Sequence, residues 1–324
     1  MSAKAVTLVQ TWQRAARWES ILGVALIGAI VFNASISPYF LDPYTLSDAT
    51  FNFTEKALVA LPMALLIIAG HIDISVAAIM ALASVAMGFA AAEGAGTPVL
   101  VAVGLGTGAL AGAVNGALVT WGRVPSIVAT IGTMSLFRGI AYGLLGDRVL
   151  KGYPESFAFF GQGYVAGPIS FELVLFVVSA TLAALYLHFS VFGQRVYAIG
   201  AQSEVARYSG VRVARYVFGL FVATGLAAGA ASILLTSRLG STRPSIALGL
   251  ELEIISMVIL GGVAITGGRG TIGGVVLAAM LLGFVTFGLG LLNVPGIVMS
   301  IIIGLLLIAV VGGPIVVSRF KRST

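Results

Sequence analysis

The sequence has no cysteine and only two histidines, and just 9% of its residues are charged. The missing cysteines exclude a disulfide framework and thiol chemistry. His71 and His188 lie on different segments, with no metal-ligand spacing to join them. The shortage of charge says more, because a soluble domain carries about 25% charged residues. No G-x-x-x-x-G-K-[ST] run occurs, so the chain encodes no P-loop. No nucleophile elbow, metal cluster or pair of carboxylates in a polar setting marks a hydrolytic site. An enzyme is therefore the least supported class.

What fills the chain instead is apolar surface. Of its 324 residues, 59% are hydrophobic. Apolar runs recur at about the 20-residue length that a bilayer-spanning helix needs. The shorter period-two segments of a membrane barrel are missing. In lipid every backbone polar group must be bonded internally, which leaves helices. The expected fold is an all-α polytopic membrane protein with spans at 20–37, 54–71, 73–92, 98–120, 126–145, 169–189, 216–236, 251–266, 271–291 and 294–313. The first is read as a retained helix rather than a signal peptide. The second and third meet so closely that they could be one interrupted element. The short span at 251–266 could be a half-helix.

The net charge of +6 reads as topology, not as a nucleic-acid signal. With the N-terminus inside, twelve cations fall on the cytoplasmic side, among them Arg123, Arg195, Arg207, Arg212, Arg215 and Arg269. Five fall outside: Lys56, Arg148, Lys151, Arg238 and Arg243. Arg138 falls inside a helix. An even number of spans puts both basic termini on the same cytoplasmic side, in agreement with the positive-inside rule. The one substantial inside segment is 192–216, with four arginines against one acid, Glu204. A single membrane domain of 1–324, with this segment within it, has no room for a ligand-capture domain or an ATPase of its own.

Several residues could carry chemistry. The tract Gly70–Val76 interrupts two apolar runs, and Asp73 and Ser75 suit a helix N-terminus, where backbone N–H groups are unpaired. The plain reading is a cap and re-entry turn; the sharper one is a hinge beside a translocation path. His71 could titrate near neutrality. Arg138 lies roughly 18 Å into its helix at 1.5 Å per residue, so it needs an acid or backbone carbonyls as partners, or a place in the path. Glu251 and Glu253 open a span near the outer side, where they snorkel or line a mouth. Gly104, Gly108, Gly112 and Gly116, with Gly225 and Gly229, recur every four residues. Such spacing lets helices pack closely, within the chain or at a dimer or gating surface. Gly268-Arg269-Gly270-Thr271-Ile272-Gly273 matches G-x-G-x-x-G, but no strand precedes it, so a tight turn explains it better than a dinucleotide site. Val124-Pro125-Ser126-Ile127-Val128 and Val294-Pro295-Gly296-Ile297-Val298 hint at an internal repeat.

Four stretches together resemble the permease subunits of bacterial ABC sugar importers of the ribose type. They are Gly70–Val76; Gly122–Met134 with Arg138-Gly139; Ala198–Val211; and Ile259–Gly262 with Gly267–Gly273. The runs Ile72–Ala78 and Gly249–Ile254 look closest to rhamnose-type permeases. His71 and Ala77 stand where that family has glycine, and Gln202 stands near its usual asparagine. The resemblance implies a location in the bacterial inner membrane, a second permease subunit, the same or different, two cytoplasmic ABC ATPases and a periplasmic sugar-binding protein. It implies no cofactor. It also implies that Gly200, Gln202, Glu204, Ala206, Tyr208, Ser209 and Gly210 belong to the loop that docks on the ATPase, with Arg195, Arg212 and Arg215 as topology anchors. Asp73, Ser75, Arg138 and Glu253 remain candidates for the pathway or its hinges. The rival class is an ion-coupled secondary carrier, which needs carboxylates at the membrane midplane; Asp73 is the obvious one. A membrane scaffold without transport is a third class, disfavoured by the glycine-rich, interrupted spans.

Overall fold

The computed structural model describes residues 3–299, 301, 302, 304 and 305, with side chains from Trp18 onward. The helices are α1 (Ala3–Ile36), α2 (Pro43–Phe51), α3 (Thr54–Ile68), α4 (Val76–Ala92), α5 (Thr97–Thr120), α6 (Ser126–Leu145), α7 (Phe159–Gln162), α8 (Phe171–Phe189), α9 (Val191–Ala201), α10 (Ser203–Tyr208), α11 (Val213–Leu239), α12 (Leu250–Leu260) and α13 (Ile272–Leu291). The strands β1 (Tyr164–Ala166) and β2 (Ile169–Ser170) form a small antiparallel hairpin before α8.

Among the described residues six helices are long and apolar enough to cross a bilayer: the Trp18–Ile36 part of α1, then α5, α6, α8, α11 and α13. The pair α2 and α3, bent by 53°, makes a seventh if taken as one span. The described residues thus supply six or seven spans and do not establish the ten expected; what holds is the coarser expectation of an all-α polytopic membrane protein. Most of the expected span at 294–313 lies outside the described residues. The segment 251–266 is shorter than expected, because α12 ends at Leu260 and Gly262 takes φ +85° beyond it. The segment 192–216 is not a loop but two short helices, α9 and α10.

The centre of the bundle is α3 and α4. From Ala57 onward α3 is apolar around the whole circumference, and so is α4 apart from Ser84, the pattern of a helix buried on every side. In α3, Val59, Ala60, Met63, Ala64 and Leu66 are fully enclosed. They are separated by the turn at Gly70, which adopts φ +86°, a left-handed conformation that a Cβ disfavours.

α5 and α11 make the closest helix pair. A Cβ on Gly108 would overlap the Gly225 carbonyl oxygen, and one on Gly225 would come within 2.8 Å of the Gly112 backbone. The glycine stripe is therefore spent on packing within the chain. The repeat hint also has a structural counterpart. Arg123 and Asn293, the residues just before each Val-Pro, both take φ 55°, and a helix starts after each proline.

Polar contacts sort the connections to two ends. At one end Trp18 Nε1 donates to the Leu260 carbonyl (2.8 Å), Gly268 N to the Ile68 carbonyl (2.8 Å) and Tyr197 Oη to the Gly270 carbonyl (2.6 Å). At the other, Arg238 meets Glu55, Leu150 bridges Thr242, and Tyr164 Oη donates to Asp48 (2.9 Å). We refer to these as the glycine-turn end and the cavity end.

Candidate functional site

The cavity end holds a hollow of about 480 Å³. Its polar lining is Asn52, Glu55, Lys56, Arg238, Arg243 and Ser245. The bend between α2 and α3 supplies the first three, the C-terminus of α11 supplies Arg238, and the loop before α12 supplies the last two. Arg238 grips Glu55 through two nitrogens, Nε to Oε1 at 2.8 Å and Nη2 to Oε2 at 3.0 Å. Lys56 Nζ donates to Glu253 Oε2 at 2.6 Å and so ties α3 to α12. Near the first pair lies Glu172, fully buried at the start of α8, with neither carboxyl oxygen hydrogen-bonded among the described residues. Both Glu55 and Arg238 are its electrostatic neighbours.

The loop that roofs this hollow is held from α6. Arg138 Nη1 donates to the Pro244 carbonyl (2.8 Å) and to the Ile246 carbonyl (2.7 Å). Of the partners expected for a cation at this depth, the backbone carbonyls are the ones it takes. Arg138→Met leaves both carbonyls without this donor. Each buried unsatisfied group costs about 1–3 kcal/mol, so the purified variant is expected to melt measurably lower than the parent in detergent. An unchanged melting temperature would show that the clamp is not needed.

Asp73 and Ser75 come together in a second, fully buried cluster. Ser75 donates to Asp73 Oδ1 from its backbone N (2.9 Å) and its hydroxyl (2.6 Å). Asn115 Nδ2 reaches Asp73 Oδ2 (3.2 Å) and Ser75 Oγ (2.7 Å) from α5. This network fastens the α3–α4 turn to α5; Ser75 stands at the N-cap of α4 but makes no side-chain cap hydrogen bond. His71 packs near the Phe221 ring, at 6.3 Å between centroids. Among the described residues no group of three or more His, Cys, Asp or Glu side chains is placed to hold a metal ion.

The structure separates the predicted residues into three places. Glu253 lies at the cavity end, joined there through the roof loop by Arg138. Asp73 and Ser75 form the turn cluster. Gly200, Gln202, Glu204, Ala206, Tyr208, Ser209 and Gly210 belong to α9, α10 and their ends. Gln202, extended at φ −164°, separates the two helices. Gly200 has no room for a side chain: a Cβ would overlap the Ile68 carbonyl oxygen and come within 2.6 Å of Gly268 N. Ala206 is buried, whereas Tyr208 is 81% exposed. Ser209 Oγ donates to the Val205 carbonyl (2.9 Å). Gly210, at φ +86°, donates from its N to the Arg207 carbonyl (3.0 Å) and closes α10. Glu204 and Arg207 form an exposed pair at 3.1 Å, a type that contributes little to stability. Burial pushes the Tyr197 phenol up to about 12, so it stays protonated and keeps its bond to Gly270. Sequence reasoning missed Glu55, Glu172 and Asn115. Single polar residues in otherwise apolar runs were the available signal for all three.

A bundle of membrane helices with a polar hollow at one end and an exposed pair of short helices at the other has the form of a transport subunit. The family model described as "Branched-chain amino acid transport system / permease component" matches residues 46–311. The chain belongs to this family and is the permease subunit of an ABC importer. It is 35% identical over 302 residues to the autoinducer 2 import system permease protein LsrD of Escherichia coli strain K12, covering 91% of each chain. The same figures hold for the proteins of that name from Escherichia coli O9:H4 (strain HS) and Shigella flexneri. No solved structure matches the chain.

Proposed function

We propose that this chain is a ten-pass permease of the bacterial inner membrane, with both termini cytoplasmic, that imports a monosaccharide of rhamnose or ribose type. It pairs with a second permease, binds two cytoplasmic ABC ATPases through residues 192–216, and receives solute from a periplasmic binding protein. The observation that carries the reading is the α9–α10 unit. It exposes Tyr208 and Glu204 while Gly200 packs directly on backbone at the turn between α3 and α4. Such a unit can transmit force from a soluble partner, and the chain has no P-loop with which to generate force itself. The excess of cations on the α9–α10 side supports the orientation. The four sequence stretches support a sugar; the relatives' name makes autoinducer 2 a further solute to assay.

The test is uptake and ATP hydrolysis in proteoliposomes that hold the permease, its ATPase and its binding protein. Gly210→Leu forces a side chain into a left-handed conformation that costs about 1–2 kcal/mol, and Glu204→Lys reverses the charge of the exposed surface. Each is expected to cut solute-stimulated ATP hydrolysis at least about tenfold, a loss of about 1.4 kcal/mol of coupling, while membrane insertion stays intact. Unchanged stimulation in both variants would remove α9–α10 from the coupling role. Uptake driven by an ion gradient without the ATPase would establish the rival carrier instead.

A further inference from the structure

We propose that the hollow at the cavity end is a binding site of the permease itself for a neutral, polyhydroxylated solute of monosaccharide size. The inference deepens the permease reading and rests on it. Its volume, about 480 Å³, falls within the range of about 300–1,000 Å³ that small-molecule sites occupy.

The chemistry of the walls selects the solute class. A sugar hydroxyl is both donor and acceptor, so it needs both kinds of partner close together. An ion pair with unused hydrogen-bonding capacity supplies them. Arg238 spends Nε and Nη2 on Glu55, and a guanidinium has further N–H groups to offer. Lys56 gives one hydrogen bond to Glu253 and has others to spare. The Glu55 carboxylate has lone pairs beyond those facing Arg238. Asn52 makes no side-chain hydrogen bond among the described residues, and its amide adds a donor and an acceptor. Leu235, Leu239, Ile246, Ala247, Leu248 and Leu250 line the rest and suit the C–H faces of a sugar ring.

The charges argue against an ion. Glu55 with Arg238 and Lys56 with Glu253 are each balanced pairs. A cation would meet three wall cations, Lys56, Arg238 and Arg243, and an anion the wall carboxylate of Glu55; the charge of the exposed Arg243 is screened by water. Arg243, which forms no ion pair among the described residues, is exposed.

The lack of native cysteine supplies the test. Leu239→Cys at the end of α11 and Leu248→Cys in the loop before α12 each create a unique thiol at an exposed lining position without removing a hydrogen-bonding group, so failure of one to fold leaves the other. Glu93→Cys places a thiol in the α4–α5 turn as a reference. Maleimide labelling rates are measured on the detergent-purified full chain with L-rhamnose, D-ribose, glucose 6-phosphate or inorganic phosphate. A neutral sugar is expected to slow labelling at both cavity positions at least about fivefold, the protection given by ligand at four times its dissociation constant, and to leave Glu93→Cys unaffected. Wild-type proteoliposomes are assayed alongside for ATP-driven uptake of the same sugars. If the sugar is taken up yet protects neither thiol, the site is wrong and the permease reading stands. Equal slowing at Glu93→Cys means a global effect, and protection by the phosphates alone means an anion site; either overturns the inference. Without any ATP-driven uptake the sugar-importer reading falls, and the inference with it.

Discussion

A Gly225→Val permease is expected to unfold at markedly lower temperature than the parent and to yield little monodisperse protein. A Cβ at this position would overlap the Gly108 carbonyl oxygen and come within 2.8 Å of both N and Cα of Gly112. Those obstacles are backbone, which cannot rotate aside as a side chain can. Inserting atoms into a packed interior usually costs about 1–3 kcal/mol, and here the helices must separate along their length, so about 3 kcal/mol or more is expected. Lipid tails give helices no hydrophobic drive to associate; the close approach of small residues supplies the contacts. The effect is reciprocal: Gly108→Val meets Gly225 and Gly229 and should behave alike. Gly143→Ala is the control. Nothing lies within 4 Å of its Cβ position, and alanine favours a helix over glycine by about 0.8–1.0 kcal/mol, so it should be neutral or stabilising. Thermal denaturation in detergent, with gel filtration before and after, decides the matter. A Gly225→Val protein as stable as the Gly143→Ala control would mean that α5 and α11 do not pack in this way.

The contrast between legible and illegible features follows from what a linear sequence can encode. The four-residue glycine spacing showed that two helices approach closely, and it could not show whether the partner was α11 or a second copy. Helix ends were readable where the chain marks them: α6 starts at Ser126 after Pro125, and α11 stops at Gly240, which takes φ +58°. Within α9 and α10 the polar residues hid the helices, because arginine and serine at this density read as a loop when burial is unknown. The number of spans was the least readable quantity. α3, α4 and α12 are too short by themselves to meet the length of a span, yet they are as apolar as the helices that do. Their burial against neighbours, not their length, accounts for that hydrophobicity.

The cavity and the α9–α10 unit are joined by the same two helices. α3 carries Glu55 and Lys56 at one end and Ile68 at the other, where its carbonyl accepts from Gly268 and abuts Gly200. α12 carries Glu253 at one end and runs into the glycine turn at the other. The Lys56–Glu253 bridge therefore ties α3, which meets α9 at its far end, to α12, beyond whose far end the turn at Gly267–Gly270 meets α9. Neither relation is visible in sequence, since the partners are 197 residues apart in one case and are backbone atoms in the other.

Removing Arg238 is expected to cost more than removing its partner. In Arg238→Met two buried carboxyl groups, Glu55 and Glu172, lose a neighbouring cation. Breaking a buried pair in this way typically destabilises by about 3–5 kcal/mol. Arg238 is a third exposed, which moves the expectation toward the lower end of that range. Glu55→Gln is different. It leaves Arg238 with Glu172 as an electrostatic neighbour, whose two oxygens have no hydrogen-bond partner among the described residues, so the guanidinium has a second carboxyl group to turn to. The loss should then be nearer the roughly 1–3 kcal/mol typical of a hydrogen bond to a charged group. The triple change of Arg238→Met, Glu55→Leu and Glu172→Leu removes every charge of the cluster at once. It should recover most of the stability lost in Arg238→Met, because a buried ion pair replaced by apolar groups of similar volume is often neutral. Melting temperatures of the four purified proteins test the order. If Glu55→Gln were as damaging as Arg238→Met, Glu172 would be no substitute partner. Its burial without hydrogen bonds would then have to be explained by something other than the electrostatics of this cluster.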